Sequence, residues 1–258
     1  MPISADDIRR YVPGPDALRE RVVLVTGAGG ALGAALAQAL AAHGARVILC
    51  GKTVSKLERV YDAIVAAGGP RPSIAPLDFE RADAAQYDAL AEAVRGEFGR
   101  LDGLAHVAAL LGDRSPVLHY DVPTWLRVMH VNVNAAFILT RTLLPLLTAS
   151  TDASIVFTTS GVSTRGRAYW GAYAVSKFAV EGLMQVLADE LDVTPRVRVN
   201  SVNPGKLRSP MRARAFPGED PMTLRTPQEV LGPFLYLLGA DGQALTGQRF
   251  DAQAPANG

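Results

Sequence analysis

Val22-Val23-Leu24-Val25-Thr26-Gly27-Ala28-Gly29-Gly30-Ala31-Leu32-Gly33 is the stretch that decides the architecture of this chain. Its first four residues are a short apolar, β-branched run, which suits a strand buried on both faces. The glycines that follow let the backbone turn tightly. An alanine- and leucine-rich segment then reads as a helix to about His43. A strand, a glycine turn and a helix in that order form a cradle for a pyrophosphate. The glycines permit close approach, and the helix start offers unpaired N–H groups to the anion. The spacing is G-x-G-G-x-x-G, so the G-x-G-x-x-G fingerprint is met only approximately. A flexible turn without a ligand is the plainer alternative.

Working outward, Val47–Cys50, Ser73–Leu77, Leu101–Ala109, Ser154–Thr158 and Val197–Val202 read as further strands, and Arg249-Phe250 as the end of a seventh. Helices are expected over 54–67, 82–98, 124–148, Tyr173–Leu191 and 228–239. Strand and helix alternate, which argues for a mostly parallel sheet covered by helices on both faces. The expectation is an α/β chain with one doubly wound, Rossmann-type domain over 21–258. A lead-in over 1–20 carries four acids, three arginines and three prolines and reads as exposed. Ligands of such a sheet bind at the carboxyl ends of the strands.

Composition narrows the function. The 258 residues are 48% hydrophobic with a net charge of +1, so neither nucleic acid nor an acidic membrane surface is an expected partner. Cys50 is the sole cysteine, which precludes an intramolecular disulfide and fits a reducing compartment. The first residues show no basic segment followed by an apolar one, so a cytoplasmic location is expected. No Cys/His spacing for zinc and no G-x-S-x-G elbow is present, so no metal is expected.

The second strand ends at Gly51-Lys52, where an NAD site usually carries an acid for the ribose 2′-hydroxyl. The first acid after that strand is Glu58. Lys52 would attract a 2′-phosphate, so the charge favours NADP(H) over NAD(H). A merely solvated lysine is the alternative.

Tyr173 and Lys177 stand four residues apart at the start of a helix and therefore share one face. A cation beside a phenol lowers its pKa and fits it to exchange a proton with a carbonyl oxygen. Ser160, just past the fifth strand, would hold that oxygen near Tyr173. The thirteen-residue step from Ser160 to Tyr173 and the four-residue step to Lys177 are more specific together than apart.

On these motifs the sequence resembles the short-chain dehydrogenase/reductase family over about residues 20–251. The T-G-x-x-x-G-x-G motif of that family aligns with Thr26 to Gly33, and its Ser, Tyr and Lys fall on Ser160, Tyr173 and Lys177. Its catalytic Asn falls on Asn132, which the resemblance places at a helix kink with a water linked to the lysine. The resemblance further implies cofactor contacts at Gly27, Gly29, Gly30, Leu32, Gly33, Lys52, Asp78, Phe79, Ala108, Tyr173, Lys177, Pro204, Gly205, Leu207 and Ser209. Asp78 would lie beside the adenine, and Ser209 replaces the usual Thr at the carboxamide. Leu110–Asp113, Trp170–Tyr173, Ala215–Pro217 and Phe250–Gln253 resemble the YciK-like branch of the bacterial members.

The implied activity is hydride transfer between NADP(H) and a small carbonyl or alcohol, in a homodimer or homotetramer built on the helices at 124–148 and 173–191. Two departures stand out. Ala31 replaces the middle glycine, and His106-Val107-Ala108-Ala109 replaces N-N-A-G. They motivate a rival reading, a cofactor-binding sensor or scaffold with weak catalysis. His106 is expected to be structural, donating to a backbone carbonyl. Residues 204–227 form a basic loop above the crevice, with Lys206, Arg208, Arg212 and Arg214, while Arg165 and Arg167 precede Tyr173. These arginines would either welcome an anionic substrate or simply meet Glu219, Asp220 and solvent.

Overall fold

Strand β1 (Val22–Thr26) is buried along its whole length, as its unbroken apolar run requires. The computed structural model describes residues 4–192 and 196–254. The first three residues of the expected lead-in and the last four of the expected domain lie outside them. From β1 the chain passes through α2 (Ala31–Ala42), β2 (Arg46–Gly51), α3 (Val54–Ala66), β3 (Ser73–Pro76) and α4 (Ala84–Phe98) to β4 (Gly103–His106). It continues through α5 (Val122–Met129), α6 (Ala135–Thr148), β5 (Ala153–Thr158), α7 (Gly171–Leu191), β6 (Val197–Asn203), α8 (Pro210–Ala215), α9 (Gly232–Leu238) and β7 (Arg249–Asp251). A short helix, α1 (Ala5–Arg9), precedes β1.

The seven strands pair in parallel in the order β3-β2-β1-β4-β5-β6-β7. The order reverses between β1 and β4, which opens the crevice at their carboxyl ends. Side chains alternate across the sheet. Val23, Val25, Val47 and Leu49 enter one core with Leu36, Leu40 and Phe234; Leu24, Ile48, Leu104 and Phe157 enter the other with Leu139, Leu143 and Met184. The segment Val122–Thr148 is apolar and long enough to cross a membrane, yet Leu139, Leu143, Leu146 and Leu147 along it are buried in the second core.

Three expectations need correction. Residues 1–20 are not simply exposed: Ile8 and Leu18 are buried in the first core, Tyr11 stacks edge-on against Tyr236, and Arg9 donates to the Asp251 carbonyl. Helix α9 presents an apolar surface that this segment covers. The helix expected over 124–148 is interrupted by a π turn at His130–Asn134. There the Asn132 amide bonds both backbone groups of Leu110, which fixes the widened turn to the end of β4. Strand β4 ends at His106 rather than Ala109, because Thr26 Oγ1 takes the N–H groups of Val107 (2.9 Å) and Ala108 (3.1 Å).

The amino ends of the strands carry a network of paired charges. Asp102, 5% exposed, accepts from Val22 N–H (2.9 Å), Arg100 Nε (3.0 Å) and Ser150 Oγ (2.6 Å). Asp152 holds Arg21 (2.9 Å) and Arg198 (3.1 Å), and Arg198 also donates to the carbonyls of Leu237, Gly239 and Gly242.

Candidate active site

At the opposite, carboxyl ends of the strands lies a cavity of about 510 Å³. All fifteen residues expected to touch a cofactor line it, from Gly27 at one end to Ser209 at the other. Two of its glycines are sterically required. Gly27 has φ +64°, and a Cβ there would come within 2.9 Å of Ala108 Cα. A Cβ at Gly33 would stand 2.3 Å from the Gly27 carbonyl oxygen, so any side chain would push the helix off the turn. Ala31 is the first residue of α2, after the cap residue Gly30, and lines the cavity beside the turn. No side chain caps this helix start, which leaves its N–H groups to the cavity.

The far end holds Lys52, Thr53, Lys56, Asp78 and Glu80. Lys52 is not a free cation: it pairs with Glu80 at 2.9 Å, which raises its pKa. Its expected attraction for a 2′-phosphate is therefore partly spent on Glu80. Lys56, which the sequence reading passed over, is a second cation at the same rim, one turn into α3.

At the other end, helix α7 brings Tyr173 and Lys177 onto one face, as their spacing predicts. Lys177 Nζ is 5.7 Å from the Tyr173 ring centroid and donates to the Thr158 carbonyl at 2.6 Å. Burial pushes the Lys177 ammonium down to about 8, and Glu181 opposes that shift. Tyr173, 9% exposed, has its pKa raised by burial, while its hydrogen bond with Ser160 acts the other way. The expected lowering of the tyrosine by Lys177 is thus not its net state here: desolvation of the phenolate prevails. Thr158 and Thr159, both more than nine-tenths buried, are among the lining residues, and their hydroxyls have no partner among the described residues. The backbone cradle, and a lining that runs from Lys52 and Asp78 past it to Tyr173 and Ser209, fit a polar, elongated ligand such as a dinucleotide.

Asn132 does not line the cavity. Its side chain accepts from Leu110 N–H (2.7 Å) and donates to the Leu110 carbonyl and to Ser176 Oγ (both 2.9 Å). It braces the end of β4 against α7 at the turn where a kink was expected. Ser160 heads a tight turn in which both the N–H and the Oγ of Ser163 reach its carbonyl, at 3.0 and 2.7 Å.

Glu181 escaped the sequence reading. It continues the Tyr173, Lys177 column by one more helical turn, and that spacing was the signal available. Its carboxylate, 7% exposed, accepts from Ser201 Oγ (2.7 Å) and lies 3.1 Å from Ser163 Oγ and 3.0 Å from Arg249 Nε. One acid thereby joins the Ser160 turn, α7, β6 and β7.

His106 is structural, with a partner other than the expected one. Its Nε2 lies 2.8 Å from Thr140 Oγ1, whose own proton goes to the Ala136 carbonyl, so the imidazole donates. The ring stacks on Phe157 at 4.6 Å, and burial lowers its pKa to about 3, keeping it neutral. The basic loop meets its own acids and carbonyls: Arg212 pairs with Glu219, Arg214 lies 3.7 Å from Asp113, and Arg208 donates to the Pro221 carbonyl. Asp220 caps the turn at Met222 instead, and Arg165 and Arg167 are exposed and off the cavity. Ser209 caps α8 through the Arg212 N–H while lining the cavity. Among the described residues no group of acids, histidines and cysteine could hold a metal.

Residues 21–220 match the family model described as short chain dehydrogenase. The uncharacterized oxidoreductase YciK of Escherichia coli K12 is 47% identical over 243 residues, which cover 94% of this chain and 96% of that one. A protein of Shigella flexneri 2a solved in complex with NADP superposes with a TM-score of 0.91 at 46% identity, covering 93% of this chain and all of the other. One of Escherichia coli CFT073 complexed with NADPH gives 0.91 at 47% identity, covering 94% and 100%. The chain therefore belongs to the short chain dehydrogenase family of oxidoreductases.

Proposed function

We propose that this chain interconverts a carbonyl and an alcohol with NADP(H), using Tyr173 as the proton donor and acceptor. The observation that carries the proposal is the convergence of Ser160, Tyr173 and Lys177 on the cavity whose other end is the glycine cradle. The NADP and NADPH complexes of two relatives support the cofactor, and Lys52 and Lys56 supply its end of the cavity with cations.

Bound NADP(H) supplies or receives the hydride. The Gly27–Gly33 turn and the uncapped start of α2 would hold its pyrophosphate, with Asp78 at the adenosine end and Ser209, Pro204 and Gly205 at the nicotinamide end. In reduction, Ser160 Oγ–H holds the substrate oxygen, and the Tyr173 Oη–H bond breaks as that oxygen takes the proton. The Lys177 ammonium favours the phenolate left behind. Thr158, through its carbonyl, keeps Lys177 in place, and Asn132 acts as a positioning residue beneath the helix.

The pH dependence follows from two shifts. A raised Tyr173 pKa keeps the phenol protonated at neutral pH, ready for reduction. Oxidation needs the phenolate and should rise with pH. Reduction should decline above about pH 8, where Lys177 gives up the charge that stabilises the phenolate.

Val122, Leu126, Phe137, Val175 and Phe178 are exposed apolar residues on α5, α6 and α7, which supports a homo-oligomer built on these helices. The cytoplasm is the proposed location. Following NADPH absorbance across a panel of aldehydes and ketones tests the function. We expect carbonyl-dependent consumption; tight NADPH binding with no consumption on any member would instead favour a sensor.

A further inference from the structure

The substrate end of the cavity is apolar, and each of its cations is already engaged. Leu110, Leu111, Trp170, Met211 and Ala215 line it around Tyr173. Leu111, Val162, Tyr173, Ala174 and Ala215 form an apolar cluster of their own, with Trp170, Met211 and Phe216 packed against it, apart from the two sheet cores. The Trp170 ring lies 5.8 Å from that of Tyr173 and 5.8 Å from that of Phe216.

Arg212 is the one arginine among the described residues that line the cavity. Glu219 takes its Nε at 2.5 Å and its Nη2 at 2.6 Å, and its guanidinium lies 3.8 Å over the Phe216 ring. Arg114 donates to the Ala215 carbonyl and lies over Trp170 (5.0 Å) and Phe216 (4.6 Å). Lys177 is buried against the Thr158 carbonyl. A carboxylate or phosphate on the substrate would have to lose its water here without gaining an unpaired cation, which is strongly unfavourable.

Resting on the carbonyl–alcohol reading above, we propose that the substrate is a neutral, compact carbonyl or alcohol with a flat or ring-shaped apolar body. Trp170 and Met211 set this preference. The body lies against the Trp170 indole, and Met211 adapts to its outline. Helix α8 is fixed over it by the Ser209 cap, the Arg212–Glu219 pair and the Arg114 bond to Ala215. The Arg212–Glu219 pair keeps the mouth electrically closed and so excludes anions.

The test uses acetophenone, 4-acetylbenzoate and methyl 4-acetylbenzoate, which separate charge from size. Turnover with NADPH is measured beside calorimetric binding of each ketone to the protein loaded with oxidised NADP, where no reaction can run. Acetophenone and the ester should exceed the carboxylate in kcat/KM by about 30-fold or more, and binding should rank the same way. Trp170→Ala should raise the KM for acetophenone about tenfold with kcat nearly kept. Glu219→Gln, which frees Arg212 on an outer loop, should narrow the gap by improving the carboxylate. Equal or better kcat/KM for 4-acetylbenzoate would overturn the inference and leave the carbonyl reading standing. Neutral-selective binding without turnover would defeat the carbonyl reading and keep the pocket preference. Absence of binding by any of the three ketones would defeat the preference itself.

Discussion

The two ends of the sheet are both rich in polar groups, and they handle them in opposite ways. At the amino ends Asp102, Asp152, Arg21, Arg100 and Arg198 pair with one another and with backbone groups. At the carboxyl ends the Thr158 and Thr159 hydroxyls are buried without a partner among the described residues, and a buried lysine has its pKa pushed down to about 8. The ion pairs at the amino ends hold strands in place. Unpartnered buried atoms occur at both ends, Arg21 Nε and Ser154 Oγ among them, so the difference lies in the charges: Lys177 is buried against a carbonyl and makes no ion pair among the described residues. The difference teaches that burial of a charge alone does not mark a site; burial without an ion pair does.

The comparison can be broken at several points. Gly33→Val should have the largest effect on cofactor binding. Its side chain would collide with the Gly27 carbonyl, and NADPH affinity should fall by a factor of about 100 or more, read by fluorescence titration. Asp102→Ala tests the other end. It strands the Val22 N–H, Ser150 and Arg100, so unfolding in urea should show a loss of about 3 kcal/mol. The folded fraction should keep its NADPH affinity and turnover. A selective loss of activity there would erase the distinction between the two ends.

Glu181→Gln sharpens the boundary between them. Glu181 raises the Lys177 pKa, so removing its charge lets that pKa fall below about 8. The decline of the reduction rate at high pH should then begin at a lower pH, while KM for NADPH changes little. An unshifted profile would make Glu181 a packing residue only. Lys52→Ala should have the smallest effect, a fewfold weakening of NADPH relative to NADH, since Glu80 already neutralises part of its charge. A large loss would mean that Lys52 leaves Glu80 when the cofactor binds.

Much of this architecture is legible in the sequence because parallel strands buried on both faces read as unbroken apolar runs. Val22–Val25 and Val47–Cys50 need no tertiary context to be recognised. The Tyr173–Lys177 spacing likewise encodes a shared helix face. What stayed hidden depends on partners distant in the chain. The π turn at Asn132 exists because its amide reaches Leu110, twenty-two residues back. Ile8 and Leu18 sit singly among charges, and only α9 shows why they are buried. Glu181 gathers Ser163, Ser201 and Arg249 from three separate segments. The state of Tyr173 stayed hidden for a related reason: spacing reveals the neighbouring cation but not the burial that raises the phenol's pKa.

The central claim is that the open end of the sheet does its chemistry through one phenol. Tyr173→Phe removes that hydroxyl while keeping the ring that packs against Trp170. NADPH affinity and ketone turnover, measured on the same preparation, test the claim most directly. The account predicts that affinity stays within about threefold of the parent protein while kcat/KM drops by about a thousandfold or more. Turnover near the parent rate with affinity unchanged would contradict it.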